Sequence, residues 1–105
     1  AVGMPTMQQL EKLLAAEPDD AFTLYAMAME LAKQGKHAEA MEFFDRCIAS
    51  DPHYCYAYFH KARSQESAGD VEGARATLEA GLVASREAGD AKAIEETAGY
   101  LRTLG

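Results

Sequence analysis

Residues 19–52 read DDAFTLYAMAMELAKQGKHAEAMEFFDRCIASDP, and residues 53–86 read HYCYAYFHKARSQESAGDVEGARATLEAGLVASR. A shift of 34 places Phe22 on Tyr56, Leu24 on Tyr58, Ala28 on Ala62 and Gly35 on Gly69. It also places Ala40 on Ala74, Phe44 on Leu78, Ile48 on Leu82 and Pro18 on Pro52. Large residues recur as large and small ones as small, as a unit that stacks on copies of itself requires.

Each period holds two helices. Asp19 or Asp20 caps a first helix that runs to about Gln34, and Gly35 ends it as a C-terminal glycine does. A second helix spans about 37–50 and stops at Asp51-Pro52, because the residue before a proline avoids helical backbone. The next pair covers about 53–68 and 71–87, with Gly69 between them and Asp70 as N-cap. Each end adds one helix. Thr6-Met7-Gln8-Gln9 is a capping-box pattern opening a helix to Ala16, whose Leu10, Leu13 and Leu14 share a face and cover one end of the array. Asp90 caps a last helix to about Thr103, in which Ala91, Ile94, Ala98 and Leu101 form the apolar stripe that covers the other end. Six helices and no strand are expected, in keeping with abundant Ala and scarce Val and Ile.

These residues carry a resemblance to the tetratricopeptide repeat family, whose pattern runs Trp-x2-Leu-Gly-x2-Tyr, Ala-x3-Phe, Pro. The first full repeat matches it with Leu24-x2-Met27-Ala28-x2-Leu31, Ala40-x3-Phe44 and Pro52. The second reads Tyr58-x2-Lys61-Ala62-x2-Gln65 and Ala74-x3-Leu78, with Arg86 in the proline's place; Lys61 and Gln65 depart from positions that are apolar in the family. The segment from Gly81 to Ala91 resembles the closing segment of small stand-alone bacterial members. The resemblance implies an all-α superhelical array in one domain, 6–105, with an N-terminal half-repeat at 6–18. Full repeats follow at 21–54 and 55–88, and a capping helix at 90–103. Residues 1–5 are expected to form a disordered N-terminus, with Ala1, Val2 and Gly3 foreign to a natural start at Met4.

Composition narrows the function. The chain has 105 residues, enough for one core that buries roughly two-thirds of the surface. Its net charge is −7, with ten Lys and Arg scattered among seventeen Asp and Glu. A protein that tracks phosphates needs a basic face, so neither nucleic acid nor an anionic membrane is an expected partner. No apolar run approaches the ~20 residues of a membrane span. Two cysteines do not make a disulfide framework, so a reducing cytoplasm is the expected compartment.

No catalytic constellation emerges: there is no phosphate-binding glycine loop, no nucleophile elbow and no His-Glu-x-x-His. No enzyme activity and no cofactor are expected. A metal or redox site from Cys47, His53 and Cys55, with His60 nearby, is the rival chemical reading, although its spacing lacks the two close ligand pairs of a zinc module. Cys47 aligns with Gly81 and reads as packing. Met27 and Met41 likewise fit buried positions.

In family members the first helices line a concave face. The positions that do so are Phe22, Tyr25, Met29, Ala32 and Lys33 in one repeat, and Tyr56, Phe59, His60, Arg63, Glu66 and Ser67 in the next. Aromatics gathered on one exposed face beside an Arg have the make-up of an interface. The expected function is therefore a protein or peptide groove, with a homo-oligomerising scaffold, such as a homodimer, as the alternative. Tyr25 and Phe59 are expected to be removable without harm to the fold. Lys33 and Arg63 give the face a local positive character that favours ligands with apolar anchors and an acid. A Lys/Asn/Asn/Lys/Arg clamp for C-terminal carboxylates, known in some members, finds Tyr25, Met29 and His60 at its first three positions.

Overall fold

The structure, a computed structural model, describes residues 5–104. The readings made for residues 1–4, disorder and a foreign leader, lie outside the described residues. Among the described residues six helices follow one another: α1 (Met7–Ala16), α2 (Ala21–Lys33), α3 (His37–Ser50), α4 (Cys55–Ser67), α5 (Val71–Ala88) and α6 (Ala91–Thr103). No strand occurs among the described residues.

Their starts are chemical. The Gln9 amide donates to Thr6 Oγ1 at 3.2 Å while the Thr6 amide donates to Gln9 Oε1 at 2.8 Å, which closes the capping box. Asp20, Asp70 and Asp90 accept from the amides of Thr23, Gly73 and Ala93 at 2.9, 2.9 and 3.0 Å. Asp20 also accepts from Thr23 Oγ1, and these two bonds hold its carboxyl below the ordinary carboxylate value. Gly35 and Gly69 close α2 and α4 at φ of +80° and +88°, where a Cβ would be strained. Helix α4 begins two residues later than expected. The His53 amide donates to Asp51 Oδ1 and the Tyr54 amide to Asp51 O, so both residues belong to a turn.

Consecutive helices pack side by side along the array, and on one face α2 adjoins α4 and α4 adjoins α6. Ala28, Ala40, Ala62 and Ala74 are all fully buried at the crossings. Leu24, Leu31, Phe44 and Cys47 fill the first unit, and Leu78 fills the second. Size is compensated between units. Where the first has Leu24 and Cys47, the second has the larger Tyr58 and Gly81. A Cβ on Gly81 would lie 2.7 Å from Tyr58 Cβ, an atom that cannot move without its backbone.

Gly81→Ala is therefore expected to destabilise the protein by about 1–2 kcal/mol, because overpacking outweighs the helix propensity gained. Gly99→Ala meets only the flexible end of Arg102, at 3.6 Å. That variant should gain about 0.5 kcal/mol. Urea denaturation of the two variants checks both signs.

The family departures in the second repeat have partners. Lys61 Nζ sits 2.7 Å from Asp45 Oδ1 on α3, and Thr77 Oγ1 on α5 donates to Gln65 Oε1 at 2.6 Å. Each polar group is satisfied across a helix boundary, which is what permits it at a packed position.

Three expectations about packing change. Leu10 is buried and Leu14 half-buried, but Leu13 is 49% exposed and does not cover the end of the array. Met27 is buried, whereas Met41 is only half-buried. On α6 the buried residues are Ala93 and Thr97; Ala91 is exposed, and Ile94, Ala98 and Leu101 are half-buried. A helix of small residues turns its smallest face inward where the neighbour is close, so the largest apolar residues are not the guide.

Candidate functional site: a concave groove

The exposed side of α2 and α4 encloses a cavity of about 250 Å³ together with the start of α3. Helix α2 contributes Met29, Ala32 and Lys33; α4 contributes His60, Arg63, Ser64 and Ser67; α3 contributes His37. One helical turn separates the lining residues of α4, so His60, Arg63 or Ser64, and Ser67 face the same way. Ser64 is almost wholly buried, and its hydroxyl lies 3.2 Å from His37 Nδ1. The cavity thus gathers six of the expected face residues: Met29, Ala32, Lys33, His60, Arg63 and Ser67.

The aromatic residues form a band beside it. The Tyr25 ring lies 5.0 Å from Tyr54, 5.9 Å from His60 and 6.2 Å from Phe44. His60 continues the band to Phe59 at 5.3 Å, and Phe59 reaches Tyr56 at 6.2 Å and Tyr100 of α6 at 5.2 Å. Tyr100 Oη donates to Glu66 Oε1 at 2.6 Å and so ties α6 to α4. Phe22 is 57% exposed and joins neither this band nor the cavity.

Tyr25 and Phe59 are half-buried, so they are not the freely removable residues expected. Tyr25 packs against the core, and burial pushes its phenol up to about 12. Three groove residues escaped the sequence reading. His37 stands at the start of a second helix and Ser64 is a buried position of α4, so neither is a groove-facing position of a first helix. Tyr100 lies 34 residues beyond Glu66, and the repeat shift itself would have pointed to it.

A second hollow of about 320 Å³ opens on the other side of α2. Pro5, Leu10, Ala26 and Glu30 line it, and it shares Met29 and Lys33 with the first. The two hollows therefore meet at those side chains.

The ionisable groups near the groove have legible environments. Burial lowers the His60 pKa, the positive Arg63 lowers it further, and Glu96 on α6 partly opposes both. A histidine with a depressed folded pKa favours the folded state above its unfolded value of about 6.5, and that contribution is lost as pH falls through the folded value. We expect unfolding free energy to decline as pH falls below about 6.5, and His60→Gln to flatten that decline. Urea midpoints of wild type and variant across this range test it.

The cysteines are built into the packing. Cys47 is fully buried, and burial pushes its thiol up to about 12, far from a reactive thiolate. Cys55 Sγ donates to His53 O at 3.3 Å, while His53 Nε2 faces Glu87 Oε1 at 3.5 Å. Among the described residues no three His, Cys, Asp or Glu side chains are placed to hold a metal ion. No described helix is long and apolar enough to cross a membrane.

Six helices among the described residues, a 34-residue period and fully buried alanines where the two helices of each repeat cross define a helical-repeat array. The sequence profile of the tetratricopeptide repeat matches residues 31–95. Over 98 residues the chain is 32% identical to a TPR repeat-containing protein of Pseudomonas aeruginosa, covering 93% of each. It belongs to the tetratricopeptide repeat family, which implies a protein–protein interaction module. Among solved structures it resembles a tetratricopeptide repeat domain protein from Salinibacter ruber, with 28% identity and a TM-score of 0.77. That match covers 84% of this chain and 89% of the other. The TPR2B domain of yeast Sti1, solved as a complex with pHsp70, shares the fold at a TM-score of 0.86 and 24% identity. There the match covers 92% of this chain and 78% of the other.

Proposed function

We propose that this chain is a non-catalytic interaction module that holds a peptide or a helix of a partner protein along the concave face of α2, α4 and α6. The observation that carries the reading is the groove between α2 and α4, where Met29 and a run of aromatic rings adjoin the exposed cations Lys33 and Arg63. Such a mixture of apolar surface and well-placed polar groups is what peptide grooves are made of. The yeast Sti1 TPR2B domain, which has the same fold, was solved as a complex with pHsp70, which agrees with a partner-binding role.

Lys33 and Arg63 are exposed, so reversing their charge should spare the fold. Ligands selected from a random peptide display library, measured by isothermal titration calorimetry, should bind the Lys33→Glu/Arg63→Glu variant at least about tenfold more weakly, or 1.4 kcal/mol. Equal affinity for wild type and variant would place the binding surface elsewhere.

A further inference from the structure

The 250 Å³ cavity differs in charge from the rest of the molecule. Seventeen Asp and Glu are spread over 105 residues, yet none lines this cavity. Lys33, Arg63, His37 and His60 do, with the hydroxyls of Ser64 and Ser67 between them. Neither Lys33 nor Arg63 forms an ion pair among the described residues, and they are the Lys and Arg that line this cavity. Two uncompensated cations facing a concave, donor-lined space are arranged for an oxyanion, because a charged acceptor strengthens every hydrogen bond it receives.

The adjoining hollow between α1 and α2 has the opposite character. Pro5, Leu10, Ala26 and Met29 make it mainly apolar, with Glu30 also lining it, and it meets the first at Met29 and Lys33. We infer that the groove has two joined subsites: one takes the carboxylate side chain of an Asp or Glu in the bound segment, and the other takes a large apolar side chain next to it. The bound segment consequently has a direction, with its apolar residue toward α1 and its acid toward α4.

This rests on the reading of the concave face as a peptide groove, and the charge balance selects the carboxylate among possible oxyanions. A net charge of −7 repels polyanions and doubly charged groups more than a single carboxylate. An apolar neighbour also suits a peptide better than a free inorganic anion. The site is distinct from a clamp for a chain-terminal carboxylate, since its cations come from the last turn of α2 and the middle of α4 rather than from Tyr25, Met29 and His60.

The test uses small probes and needs no known partner. N-acetyl-Leu-Glu-N-methylamide and its Gln counterpart are titrated into isotope-labelled protein and followed by NMR at moderate salt. The Glu probe should shift resonances of His37, Arg63, Ser64 and Ser67 together with Met29 and Ala26. The Gln probe should bind about tenfold more weakly, and Lys33→Gln/Arg63→Gln should remove the difference between the probes. Equal binding of the Glu and Gln probes, or Glu-specific shifts that survive in that variant, would overturn the inference while leaving a peptide groove standing. Tighter saturation of the same resonances by inorganic phosphate would overturn the choice of carboxylate. Shifts confined to Arg46, Glu79 and Val83 with the Glu probe would overturn both the subsites and the groove.

Discussion

Phe44→Ala should cost about 3–5 kcal/mol of unfolding free energy, the largest effect of any single substitution considered for this chain. Phe44 is fully buried, touches the cluster of Leu24, Ala28 and Ala40, and supports the Tyr25 ring edge-on at 6.2 Å. A domain of this size has about twice that stability in total, so the melting temperature should fall by roughly 15–30 °C. Phe43→Ala is the control. That ring is only half-buried, with the Arg46 guanidinium 5.1 Å from its centroid, and its loss should cost about 1 kcal/mol. Similar costs for the two neighbours, measured by thermal circular dichroism and urea titration, would mean that α3 does not face the core as described.

Deleting residues 90–105 should have the next largest effect, a fall in melting temperature of roughly 10 °C or more. Helix α6 does more than close the chain. Tyr100, Leu101 and Leu104 pack on the buried cluster of Ala62, Ala74 and Leu78, and Tyr100 covers Phe59. Without them the outer face of the second repeat meets water, and a repeat array with an open end loses the neighbour term that stabilises its last unit. An unchanged melting temperature would show that α6 contributes nothing to the array.

The fold was legible because its constraints are steric and local. Ala28, Ala40, Ala62 and Ala74 had to be small for helices to cross closely, and Asp70, Asp90 and the Thr6–Gln9 pair are signals that lie within a few residues of what they control. Size compensation between Tyr58 and Gly81 was half-legible: the sequence aligns Gly81 with Cys47, but only the geometry shows the ring that demands a glycine. The facing of α6 was half-legible: Leu101 does pack on the cluster of Ala62, Ala74 and Leu78, but Ala91 is exposed and the residues wholly buried are the small Ala93 and Thr97, which the apolar stripe does not include.

For the groove, position in the repeat identified Met29, Lys33, His60, Arg63 and Ser67, since equivalent positions of stacked helices lie side by side. It misjudged Tyr25 and Phe59, whose rings bridge the core and the face, because periodicity assigns a residue to a side without showing how deeply its ring sits. His37 and Ser64 were invisible for a different reason. Their contact spans 27 residues and joins the start of a second helix to the middle of the next first helix, and no periodic pattern encodes such a meeting.

The central claim is that a partner segment lies along α2, α4 and α6, beside His37 at the start of α3 and away from the outer faces of α3 and α5. Mapping a display-selected peptide by paramagnetic relaxation, with a spin label on the peptide, tests it most directly. Broadening of Met29, Ala32, Lys33, His60, Arg63 and Ser67, with Arg46, Glu79 and Val83 unaffected, is the predicted result. Broadening centred on Arg46, Glu79 and Val83, with the groove residues sharp, would contradict it.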